Sequence, residues 1–136
     1  MTKNIIISII LLFLFSGCAS TNPTTLRKDA SGTYAYKVNV NYKTVYSRIA
    51  LGAKRCLEPF TTMSIHPIIF EDNKSAEVSA SIQQHTVLVI DIGAIDDHTT
   101  EVRTYYPYSL DDSWKETAKD SQKWALGQIE VCRIQE

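Results

Sequence analysis

The sequence predicts an α+β domain, a two-layer sandwich in which a mainly antiparallel sheet carries two helices on one face in the order β-α-β-β-β-β-α. Three observations carry this. Several short segments rich in Val, Ile, Thr and Tyr alternate apolar with polar residues, the period of half-buried strands. Two other segments space their apolar residues at three and four, one stripe along a helix. The intervals between successive strand segments are a few residues each, enough for hairpins and too short for parallel crossovers.

The chain opens with a lysine at position 3 and the apolar run Ile5–Phe15, interrupted only by Ser8, followed by Ser16, Gly17 and Cys18. Charged, apolar and small-residue regions in that order describe a secretory signal, because a spanning helix needs roughly 20 apolar residues. The segment Phe15-Ser16-Gly17-Cys18 resembles a bacterial lipobox, with Phe15 where Leu is usual. The resemblance implies cleavage after residue 17 and an acylated, diacylglyceryl-modified Cys18, palmitate included. Several acyl chains give firm attachment where one is marginal. Ala19 and Ser20 supply no retaining aspartate, so the resemblance implies the periplasmic face of the outer membrane. Residues 1–17 are thus expected to be a lipoprotein signal peptide, and residues 18–31 a lipidated N-terminus and flexible tether. The Thr, Asn, Pro and Ser content of Ala19–Ser31, with Leu26 its one large apolar residue, suits a tether. Fully extended, it reaches about 40–45 Å.

Residues 32–136 form the expected single periplasmic domain. Tyr34, Tyr36, Val38 and Val40 alternate with polar or small residues as the first strand. Asn41 stands at a helix-cap position, and Val45, Ile49, Ala53, Cys56 and Leu57 form one apolar stripe along Tyr42–Glu58. Lys54 and Arg55 favour its C-terminal end, and Pro59 stops it. Met63–Phe70 is a strand whose Pro67 places it at a sheet edge or a bulge. After a turn at Glu71–Lys74, Ala76, Val78, Ala80 and Ile82 alternate cleanly with polar neighbours. Thr86–Gly93, apolar on both faces until Asp91, reads as a central strand covered on part of its second face. Ala94–Thr99 is a polar loop, Thr100–Tyr106 the last strand. Leu110, Trp114, Ala118, Ser121, Ala125, Ile129 and Cys132 then mark a helix expected over six turns, with Gly127 inside it and Ser109…Asp112 or Ser113…Glu116 as its capping box. The first strand is expected to pair at an edge or beside a non-neighbour.

With Cys18 lipidated, Cys56 and Cys132 remain as an even pair in a compartment that favours disulfides. A bond between them ties the first helix to the last, which requires both helices on one face of the sheet. Closing a loop of about 76 residues corresponds to roughly 4–5 kcal/mol on the chain-entropy estimate.

This element order behind a lipobox resembles the helix-grip accessory lipoproteins of the β-barrel assembly machine. It is similar also to small Gram-negative outer-membrane lipoproteins with a Tyr-rich strand and one cysteine in each of two helices. Neither resemblance supplies a catalytic residue or a cofactor.

Charge and motifs narrow the function. The expected mature chain of 119 residues holds 13 basic and 15 acidic side chains, no electrostatic footprint for nucleic acid or for anionic lipid. No GxSxG, HExxH, paired CxxC or phosphate-cradling glycine loop occurs, and His66 and His85 stand apart, so an enzyme is not expected. Asp91, Asp96, Asp97, His98 and Glu101 are the nearest to a site. Their oxygen and nitrogen donors are weak candidates for a metal (Asp96, Asp97 and His98 above all), but the spacing lacks EF-hand regularity, and a solvated turn is the ordinary reading. The aromatics are the better lead. All seven tyrosines fall in two clusters, residues 34–46 and 105–108. Tyr36, Tyr105, Tyr106 and Trp124 are the expected interaction surface, since tyrosine combines apolar area with a polar tip. The expected function is a non-enzymatic protein-interaction or structural module of the envelope, bound to outer-membrane lipid through Cys18 and partnered by another envelope protein. The alternative is a ligand-binding, metal-binding or hydrolytic domain using the Asp91–Glu101 loop.

Overall fold

The computed structural model describes residues 22–59 and 62–132. The expected signal segment and the expected lipidation site Cys18 lie outside the described residues. Five strands form one antiparallel sheet: β1 (Gly32–Val38), β2 (Met63–Phe70), β3 (Ser75–Ile82), β4 (His85–Ala94) and β5 (Thr100–Tyr106). Its order is β1-β5-β4-β3-β2, so the meander from β2 to β5 is completed by β1 at the far edge, beside a strand distant in sequence. Helix α1 (Pro23–Asp29) precedes the sheet, α2 (Tyr42–Leu57) follows β1, and α3 (Ser113–Ala125) follows β5.

Strand alternation sends Tyr36, Val38, Ile65, Ala76, Val78, Leu88, Ile90, Ile92 and Val102 into the main core. There α2 covers β2, β3 and β4, and α3 covers β1 and β5. The α2 stripe is buried as expected, and its cap is Asn41, whose side chain accepts from the Lys43 backbone N–H at 2.9 Å. The two helices approach closely at Gly52 of α2, where a Cβ would overlap the indole of Trp124 on α3. Cys56 and Cys132 are disulfide-bonded with Cα atoms 5.2 Å apart, joining the end of α2 to the segment after α3. Pro67 sits on β2, the other edge strand, where a missing ladder donor is tolerated.

Three sequence expectations need correction. The last helix spans residues 113–125 rather than six turns. Gly127 lies beyond its end at φ 96°, donating its N–H to the Trp124 carbonyl while Gln128 donates to that of Lys123, the paired bonds of a Schellman stop. The residues from 128 to 132 keep the apparent stripe going by returning over the core, where the Val131 carbonyl accepts from the Trp124 indole at 2.9 Å. Neither expected capping box closes the helix start, since Asp112 precedes it in the left-handed region without a side-chain cap. The third correction concerns the tether. Residues 23–29 form α1, with Pro23 in its first turn and the Asn22 side chain accepting from Thr25 N–H at 2.9 Å. Leu26 of α1 and Val89 of β4 are both fully buried yet separate from the main core, because α1 docks on the opposite face of the sheet.

Candidate functional site

The second face of the sheet is built from the alternate residues of the same strands. Across it, Ile68, Glu77, Asp91, Arg103 and Ala35 stand in register, and the next row holds Phe70, Ser75, Gly93, Glu101 and Lys37. Glu77 and Asp91 are therefore direct cross-strand neighbours, a like-charge pair that disfavours pairing unless a cation lies between them. Arg27 of α1 supplies it. Its Nε donates to Asp91 Oδ2 at 2.8 Å, and its Nη2 donates to Asp91 Oδ1 and to Glu77 Oε2. The hydrogen bond to Asp91 holds the guanidinium pKa above its usual range, against the opposing effect of burial, and the bond to Glu77 adds to it. The side chains remain 30% (Arg27), 11% (Glu77) and 35% (Asp91) exposed, so this is a half-sheltered ion cluster rather than a core one.

Two hollows flank α1. One of about 470 Å³ is lined by Arg27, Phe70, Gly93, Glu101, Arg103 and Tyr105 among others. The other, about 360 Å³, lies by Asn22, Pro23, His66, Ile68 and Glu77. Gly93 makes the floor of the first, since a Cβ there would meet nothing within 4 Å. Ile68 and Phe70 project from edge strand β2 at 46% and 45% exposure.

The acidic loop divides. Asp91 and Glu101 belong to the larger hollow, whereas Asp96, Asp97 and His98 sit exposed at the loop tip. Asp96 Oδ1 accepts the His98 backbone N–H at 2.8 Å, which keeps its carboxyl below the usual range. Asp97 faces Lys74 Nζ at 3.3 Å, and its carbonyl accepts from Asn41 Nδ2. Among the described residues no three of His, Cys, Asp and Glu gather as metal ligands. The loop is a self-bonded turn in which Asp96 is held by the His98 N–H and Asp97 is met by Lys74.

The expected aromatic surface also divides. Tyr36 is in the core, its hydroxyl 3.0 Å from Ser121 Oγ, and burial raises its pKa well above the usual phenol value. Trp124 is 1% exposed beneath Gly52. Both leave the interaction surface, Tyr36 because β1 turns it toward α3 and Trp124 because α3 turns it onto Gly52 of α2. Tyr105 lines the larger hollow, and Tyr106 packs against Gly32 at the other side of β5. The missed residues are Arg27, Glu77, Ile68 and Phe70. The signal for Ile68 and Phe70 was present, since alternation about Ile65 puts them on the opposite face of β2.

No protein-family model matches the chain, and no curated protein matches it. Among the described residues, no helix is long and apolar enough to cross a membrane.

Proposed function

We propose that this chain is a lipid-anchored periplasmic lipoprotein whose domain acts as a non-enzymatic protein-interaction or structural module of the cell envelope, working through the second face of its sheet. The observation that carries the reading is that α1, which leads back toward Cys18, lies on the face that keeps Ile68 and Phe70 in solvent. An acylated Cys18 would hold this face near the membrane, with about 14 Å of chain between them. Partly exposed aromatic and aliphatic side chains around a polar floor suit a protein contact.

Crosslinking and pull-down of the intact lipoprotein from envelopes tests it, with Cys18→Ser and Phe70→Glu compared with the unaltered chain. The expected result is one specific protein retained by the unaltered chain, reduced for Cys18→Ser and lost for Phe70→Glu. Retention indifferent to Phe70→Glu overturns the choice of face. Mass spectrometry showing an unmodified, uncut amino terminus overturns the anchor.

A further inference from the structure

We propose that the second face is a docking trough for an arginine-bearing peptide segment of a partner protein, occupied in this structure by α1 as an intramolecular stand-in. The inference deepens the interaction-module reading and rests on it. Its basis is the mismatch between a large, guanidinium-selective site and the small element that fills it.

The selectivity comes from Glu77 and Asp91. Facing each other across β3 and β4, they present carboxylate oxygens on two sides of one cation. A planar guanidinium meets such a pair with several parallel bonds, whereas an ammonium acts only as a point charge. Arg27 shows the fit, with two bonds to Asp91 and one to Glu77.

The occupant is slight. Helix α1 has seven residues, below the length at which isolated helices hold together in water. It buries one side chain, Leu26, and makes the ion cluster with one other, Arg27. A docked element held by two adjacent side chains can be exchanged for a segment that offers the same two and more.

The trough offers more. Glu77 borders both hollows, so the two open on either side of one ion cluster. Gly93 leaves the floor of the larger one open, and a glycine inside a strand is where another backbone can come close. Phe70 and Tyr105 line that hollow and can receive apolar side chains. With Arg27 displaced, the residues lining the two hollows leave three carboxylates, Glu77, Asp91 and Glu101, against the guanidinium of Arg103. The charge thus favours a basic segment with an apolar residue beside its arginine, in the pattern of Leu26-Arg27.

A labelled synthetic peptide of residues 22–30 and a second peptide with its arginine replaced by alanine provide the test, titrated against the full-chain protein and its Arg27→Ala variant. The first peptide is expected to bind Arg27→Ala at least tenfold more tightly than the unaltered protein, and the alanine peptide at least tenfold more weakly than the first. Equal affinity for the two proteins, or indifference to the peptide's arginine, overturns the proposal. Hydrogen exchange on the unaltered protein needs no variant to fold. At saturating peptide, amides of residues 24–29 are expected to exchange at least tenfold faster while those of β4 are unchanged, and unaltered α1 protection overturns the competition. Failure here alongside Phe70-dependent capture from envelopes would remove the arginine trough and leave the envelope module standing; the opposite pair of results would do the reverse.

Discussion

On one side of the sheet Tyr36, Val78, Ile90 and Val102 are sealed under two helices, with a disulfide joining the end of α2 to the segment after α3. On the other, the same strands present Ala35, Glu77, Asp91 and Arg103, partly covered by a seven-residue helix. The first face is closed by volume: Trp124 fills the space that Gly52 leaves, and a hydroxyl trio of Tyr36, Ser121 and Thr104 lies buried with its partners. The second face is closed by charge. Packing is unforgiving of shape changes and indifferent to salt, while a half-exposed ion cluster depends on both solvent and partner. The difference teaches where stability and where recognition reside in this fold.

The comparison breaks first at Trp124. Trp124→Ala removes the largest fully buried side chain and is expected to lower unfolding free energy by about 3–5 kcal/mol, measured by urea denaturation with the disulfide intact. A loss below about 1 kcal/mol would show that the helix layer is not the stabilising one. On the second face, Arg27→Ala leaves two facing carboxylates without their cation. Because Arg27 and Asp91 are each about a third exposed, a smaller loss of about 1–3 kcal/mol is expected. The triple variant Arg27→Ala, Glu77→Gln, Asp91→Asn should recover most of it, which a purely steric role for Arg27 would not allow.

Tyr36 sharpens the contrast through pH. Its phenol pKa is raised in the folded chain, chiefly by burial, so the folded state holds that proton more tightly than the unfolded state does. Stability from this source is complete below the unfolded value of about 10 and is lost as pH climbs through the higher folded value. Tyr36→Phe is expected to cost about 1 kcal/mol at neutral pH and to flatten the alkaline loss of stability, followed by thermal melts across pH 8–11. The smallest expected effect is Phe70→Glu, within about 0.5 kcal/mol by the same denaturation, since nearly half of that side chain is already in solvent.

The strands and α2 were legible because each is half-buried against one neighbour, and burial on one side writes a period into the sequence. The disulfide followed from counting cysteines once Cys18 was assigned to lipid. Helix α1 was not legible, since seven residues with one apolar side chain carry no periodicity. Its local signal was Asn22 before Pro23, a cap followed by a first-turn proline. The periodicity overruns the last helix because Cys132 packs back against the core beyond the Gly127 stop, continuing the stripe without continuing the helix. The site divided for a related reason. Asp91 looked like part of an acidic loop, and its partner Glu77, fourteen positions earlier, becomes its neighbour only through the β3–β4 register.

The bond between Cys56 and Cys132 encloses β2 through α3 in a covalent ring, with α1, β1 and nearly all of α2 outside it. A pull applied at Asn22 would therefore be resisted in sequence, first by the Arg27 clasp, then by the edge ladder of β1 on β5, then by the buried stripe of α2, and would halt at the crosslink. The domain can yield mechanically from one end while the other stays knotted shut.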